Sequence, residues 1–177
     1  RGLTARSDRR RRRRFSGVLR EVEEALHRYA AGAFPMDDED APDLPWYTAP
    51  ERAIFDLDQA ARDAVRRKVR RDARRCAHHE FAIDRDYDAV LELCATPPEG
   101  EGQWITPRLA TLYRQLHDAG YAHSFELWTP DGELAAGILG LVLGRAAMLE
   151  SMRKRLPSAG NALLIRTLDQ LHDRGID

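Results

Sequence analysis

Cysteine is nearly absent: Cys76 and Cys94 are the only two in 177 residues. Two thiols cannot build a disulfide framework, and neither has the close Cys or His neighbours that a zinc site requires. A reducing cytoplasm is the expected compartment, and no metal is expected. Long apolar runs are also missing. Nothing approaches the roughly 20 residues needed to cross a bilayer, and the basic N-terminal stretch lacks the apolar core of a signal peptide. No membrane partner is expected of such a chain. Repeats and low-complexity tracts are absent apart from one run of arginines.

Hydrophobic residues make up 43% and charged residues 32%, which suits one or at most two compact domains and excludes disorder throughout. The net charge of -1 conceals an uneven distribution. Residues 1–75 carry 19 Lys+Arg against 14 Asp+Glu, whereas residues 76–177 carry 9 against 15. Nearly all the positive charge is arginine, whose planar fork suits bidentate contact with phosphate. It gathers in the run Arg9–Arg14 and again in Arg62, Arg66, Arg67, Arg70, Arg71 and Arg74. A polyanionic partner accounts for these clusters, as does a solvated tail or an arginine-rich genomic composition.

Val18, Val22, Ala25, Leu26 and Tyr29 recur at helical spacing, and Gly32 stands where a helix ends. Residues 33–50 are rich in Pro and Asp and predict a long ordered loop. Arg52 to Leu57 reads as a short strand, and Asp58 as the N-cap of a helix running to about Cys76. A strand over Glu80 to Asp84 and a short helix over Tyr87 to Ala95 follow. Thr106-Pro107 is an N-cap with proline at the first helical position, and Leu109, Leu112, Tyr113 and Leu116 supply the apolar stripe up to Gly120. Two β-rich runs, Ala122 to Trp128 and Glu133 to Leu143, flank the turn sequence Thr129-Pro130-Asp131-Gly132 and predict an antiparallel hairpin. A last helix spans about Ser158 to His172. The pattern predicts an α+β fold with a mixed or antiparallel sheet and flanking helices. Residues 1–15 read as a flexible basic lead, 16–57 as a small N-terminal helix-and-loop unit, and 58–177 as the main domain.

Several segments then stand out in order: Tyr29-Ala30-Ala31-Gly32-Ala33-Phe34-Pro35-Met36, Trp46-Tyr47-Thr48-Ala49-Pro50 with Arg52-Ala53-Ile54, Cys94-Ala95, Gln103-Trp104-Ile105-Thr106, Ala122-His123-Ser124-Phe125-Glu126-Leu127-Trp128, and Glu150-Ser151-Met152. Their colinear order resembles the leucyl/phenylalanyl-tRNA-protein transferase family over about residue 20 to the end. The resemblance implies a fold similar to the GNAT acetyltransferases with a small N-terminal domain, and aminoacyl-tRNA in place of acetyl-CoA. The residues agree with that replacement. Gly137, Gly140 and Gly144 sit among Ile, Leu and Val, without the turn that cradles a pyrophosphate at a helix N-terminus. No cofactor is expected.

The resemblance further implies transfer of an amino acid, such as Leu, Phe or Met, from aminoacyl-tRNA to the N-terminal amine of a protein or peptide, by a cytoplasmic monomer. It implies Glu150 as a catalytic-site carboxylate, which reads as orienting the donor's α-amine in preference to acting as a general base. In one register Asp177 matches the family's catalytic aspartate, and the rest of that motif is expected beyond the C-terminal end of this sequence. Trp46 and Trp104 match tryptophans that stack on the 3'-terminal adenosine. Ile138, Leu139, Ala147 and Leu164 are the expected donor side-chain pocket, where Leu139 and Ala147 replace bulkier family aromatics and enlarge or reshape it. The arginines of residues 62–74 are the expected tRNA-backbone contacts. Trp128 reads as core, and His117 and His123 as packing or hydrogen-bonding residues. A specialised peptide or small-molecule acceptor, or an inactive tRNA- or protein-binding relative, is the alternative function.

Overall fold

The computed structural model describes residues 3–38, 40–97, 100 and 102–176, and for residues 3–16 the backbone alone. Helix α1, Leu3–Ala30, starts within the stretch read as a basic lead; the side chains of the Arg9–Arg14 run lie outside the described residues. Its Val22, Ala25 and Tyr29 are buried, and Gly32 turns the chain at φ +83. Residues 33–50 do not form only a loop. Strands β1, Ala33–Pro35, and β2, Trp46–Thr48, pair antiparallel as a two-stranded ribbon. The sequence conceals this ribbon because each strand is three residues long, too short for a period-2 signal. Long-range packing closes it, with Phe34 and Tyr47 rings 6.4 Å apart.

Arg52 to Leu57 forms no strand, contrary to the expectation. It pairs with neither sheet, leaving Ile54 84% and Phe55 52% exposed while Leu57 is buried. Without a neighbour to satisfy its backbone, β propensity alone does not make a strand. Helix α2, Gln59–Arg75, starts where Asp58 accepts the Ala61 N–H at 2.7 Å. Strand β3, Glu80–Ile83, leads to helix α3, Tyr87–Ala95, capped by Asp86, and then to helix α4, Pro107–Asp118, capped by Thr106.

Strands β4, Ala122–Trp128, β5, Leu134–Leu143, and β6, Ala146–Lys154, join β3 in one sheet of order β3-β4-β5-β6, and helix α5, Ala159–Asp173, follows. Every described pairing is antiparallel. The fold is α+β, with helices over both sheet faces. One core joins Tyr29, Leu91, Leu109, Tyr113, Leu139 and Leu141; the other joins Phe125, Leu127, Ile138, Leu163 and Leu168. Alternate residues of β5 feed the two cores, which is why its sequence is apolar throughout instead of alternating.

Candidate active site

Opposite β5, strand β6 carries an extra residue. Leu139 pairs with Ser151 and Gly140 with Leu149, so Glu150 between them has no partner and forms a β-bulge. A bulge re-aims the side chain that occupies it. Here it turns a carboxylate into the wall of a pocket of about 710 Å³. Of the described residues lining that pocket only Arg52 and Glu150 are charged; the rest are apolar, including Phe34, Phe55, Ala147, Leu164, Leu168 and Ile176. The size suits a drug-sized ligand or an amino-acid side chain with its ester.

Burial drives the Glu150 carboxyl up to about 7, against the opposing pull of the Arg52 charge and of the Tyr113 hydroxyl. Tyr29 on α1 and Tyr113 on α4 approach from the other side. Both phenols are pushed far above their ordinary value, first by burial and, among the further causes, by the Glu150 charge. Their hydroxyls are buried without a hydrogen-bond partner of good geometry among the described residues. Buried hydroxyls gathered beside a carboxylate of near-neutral pKa make this place a functional-site candidate.

Of the expected donor-pocket residues, Ala147 and Leu164 line this pocket. Ile138 and Leu139 do not; each is 1% exposed and sits in a different core beneath the sheet surface. Adjacent strand residues face opposite sides, so the two cannot share one wall. Asp177 lies outside the described residues. Trp46 is half-buried, edge-on to Tyr29 at 5.2 Å, with the Arg28 guanidinium 5.3 Å from its ring centre. Trp104 is half-buried against the first core, in the segment that enters α4.

Helix α2 divides its arginines. Arg62 and Arg66 bond Asp169 of α5 at 3.1 and 2.7 Å, and Arg66 also holds Asp63 at 2.5 Å. Arg67, Arg70, Arg71 and Arg74 recur at spacings of three and four and are exposed, and their side chains make no ion pair or hydrogen bond among the described residues.

A second polar cluster surrounds the start of β4. Ser124 donates its hydroxyl to Glu126 Oε1 at 2.7 Å, Trp128 Nε1 donates to Oε2 at 2.8 Å, and the Asp86 N–H donates to Oε1 at 2.9 Å. His123 Nδ1 lies 2.7 Å from Asp84 Oδ2, and His117 stacks on Tyr87 at 3.8 Å. Serine, histidine and aspartate therefore meet without forming a hydrolase, because the Ser124 hydroxyl is sealed from solvent and committed to Glu126. Cysteine chemistry is equally unsupported, since burial raises the Cys94 thiol to about 11. No group of residues able to hold a metal occurs among those described. No described helix is long and apolar enough to cross a membrane.

Arg52, Tyr29 and Tyr113 were not singled out from the sequence as site residues, although Tyr29 and Arg52 lie within the motif strings and Tyr113 within the apolar stripe of α4. The bulge that gathers them with Glu150 has no sequence signature.

Comparison with known proteins converges on one family. A family model described as leucyl/phenylalanyl-tRNA protein transferase matches residues 57–177. A protein of Thermosynechococcus vestitus named leucyl/phenylalanyl-tRNA–protein transferase is 43% identical over 84% of this chain and 71% of its own length. Proteins of the same name from Deinococcus radiodurans and Bordetella petrii are 39% and 35% identical, over 89% and 92% of this chain and 73% and 66% of their own lengths.

Proposed function

Because the chain belongs to the leucyl/phenylalanyl-tRNA protein transferase family, we propose that it moves an amino acid from an aminoacyl-tRNA to the N-terminal amine of a protein or peptide. The carrying observation is Glu150, set by a bulge into an apolar pocket that also holds Arg52. In the reaction the acceptor's neutral amine attacks the ester carbonyl carbon. A C–N bond forms, the bond to the terminal ribose oxygen breaks, and the proton lost by the amine balances the departing hydroxyl. An activated ester needs little chemical help, so positioning supplies most of the rate. Glu150 orients the donor's α-amine beside the scissile bond, while Ala147, Leu164 and Leu168 receive its side chain. An apolar pocket of this kind suits Leu-, Phe- or Met-like donors.

Trp46 and Trp104 offer faces for the 3'-terminal adenosine, each stack being worth about 1–3 kcal/mol. Asp177 remains the proposed second catalytic carboxylate. The arginine stripe Arg67, Arg70, Arg71 and Arg74 takes the tRNA backbone, whereas Arg62 and Arg66 are largely engaged by Asp169. The protein is read as cytoplasmic, in keeping with two free buried thiols, and as a monomer.

Single-turnover transfer from a panel of aminoacyl-tRNAs to a peptide acceptor tests the proposal. Glu150→Gln keeps the shape but removes the charge, and is expected to slow transfer by about 10²–10⁴-fold. Undiminished transfer by that variant refutes the site.

A further inference from the structure

Arg52 sits in an unusual place for an arginine. It lies on the unpaired segment between β2 and α2, lines the same pocket as Glu150, and is its only described cation. Its guanidinium is 5.1 Å from the centre of the Phe34 ring, itself a pocket residue. Its side chain makes no hydrogen bond or ion pair among the described residues, so the ring contact biases its position while its donors stay available. The pocket's other walls are apolar, from Leu149 on β6 to Leu164, Leu168 and Leu171 on α5. Arg52 is exposed at the pocket rim whereas Glu150 is more buried, so solvent screens part of their attraction and the apolar walls preserve the rest.

We propose that Arg52 is a positioning residue for the transfer: from the pocket rim it supplies the counter-charge that keeps the Glu150 carboxylate in its working form and turned toward the donor amine. The inference rests on Glu150 acting in that pocket. Among the described residues few groups face Glu150. Arg52 approaches from the unpaired segment, Tyr113 from α4 and Tyr29 from α1, and α5 contributes only apolar side chains. Both tyrosines are neutral at physiological pH, since burial and the carboxylate itself raise them. Among the described residues Arg52 is thus the one full charge opposing the desolvation of Glu150. The segment that carries it also exposes Ile54 and Phe55 at the pocket mouth, so the counter-charge and the mouth belong to one piece of chain.

The test is the pH profile of kcat and KM for transfer from aminoacyl-tRNA by the full chain, in wild type, Arg52→Gln, Arg52→Lys and Phe34→Leu, each checked for folding by near-UV circular dichroism. Arg52→Gln is expected to move the acid limb of kcat up by about one pH unit. KM should change much less. Arg52→Lys should return most of the limb to its wild-type position, and Phe34→Leu should shift it in the same direction as Arg52→Gln but less. In a Glu150→Gln background, adding Arg52→Gln should cause no further shift. An acid limb unmoved in Arg52→Gln overturns the inference, as does a lysine variant as displaced as the glutamine one. If Glu150→Gln alone transfers like wild type, it is the Glu150 assignment that has failed, and the two failures are told apart.

Discussion

Arg108 closes on Asp37 across 71 residues of sequence. Its Nε lies 3.0 Å from Asp37 Oδ1, its Nη1 donates to the carbonyls of Ala41 and Pro42 at 3.1 and 3.2 Å, and Thr106 donates its hydroxyl to the same carboxylate. The pair ties the segment leading to Trp46 to the start of α4, close behind Trp104. Asp37 is 3% exposed in its side chain. The Arg108 guanidinium, helped by the Thr106 hydroxyl, outweighs the opposing effect of burial and holds its carboxyl below the ordinary range. A depressed carboxylate contributes stability that is present above its unfolded pKa and lost as pH falls through the folded one. Asp37→Asn is therefore expected to cost roughly 1–3 kcal/mol at neutral pH and progressively less in acid. Urea unfolding of both proteins across that range checks it.

Glu150 predicts the opposite slope. Its folded pKa of about 7 lies above the ordinary 4.5, so its contribution is fully present below the unfolded value and is lost as pH rises through the folded one. Glu150→Gln removes the penalty of holding a buried charge. The variant should be the more stable protein above neutrality, by up to roughly 3 kcal/mol, with the difference shrinking toward pH 5. A site that becomes inactive while gaining stability separates function from packing. Equal pH dependence in the two proteins would sink this reading.

Gly137 shows how closely α3 lies on the sheet. A Cβ added there would stand 2.7 Å from Val90 Cγ1 and 2.9 Å from Cγ2. Val90 is fully buried, so it has nowhere to move. Gly137→Ala is expected to destabilise by about 1–3 kcal/mol through overpacking. Combined with Val90→Ala, which empties that space, it should cost less than the sum of the two single changes; strict additivity in thermal unfolding would show the clash is not the cause.

The arginine stripe on α2 predicts salt-sensitive tRNA binding. Every phosphate left without its arginine should reduce the log–log salt slope by roughly 0.7–0.9. Replacing Arg67, Arg70, Arg71 and Arg74 together by Gln should flatten it clearly while leaving the melting temperature near wild type. Replacing Arg62 and Arg66, which bond Asp169, should instead lower stability. If the fourfold variant binds with an unchanged slope, the tRNA runs elsewhere.

Ala147 offers a test of donor choice, because it lines the same pocket as Leu164 and Leu168. Ala147→Phe should turn preference toward smaller donors, with differences of about 1–3 kcal/mol between side chains. Competition between charged tRNAs in one reaction reads this directly; an unaltered donor profile would place the side-chain pocket elsewhere.

Much of the fold was legible because its signals are local. Asp58 and Thr106 announced the starts of α2 and α4, Thr129 to Gly132 announced the hairpin, and apolar runs announced β4 and β5, since caps, turns and periodicity act over a few residues. The motif strings that carried the family resemblance were likewise readable in order. The short ribbon of β1 and β2, the unpaired course of Arg52 to Leu57, and the division of α2 arginines between Asp169 and solvent were not readable. Each depends on a partner far away in the chain. The same holds for Glu150: its residue type and neighbours could be read from the sequence, but its place in a bulge, facing Arg52 and two tyrosines, was decided only by the register of β6 against β5. Register is a sum of cross-strand interactions and cannot be assigned to any one residue, so only the assembled sheet could turn that carboxylate into the pocket.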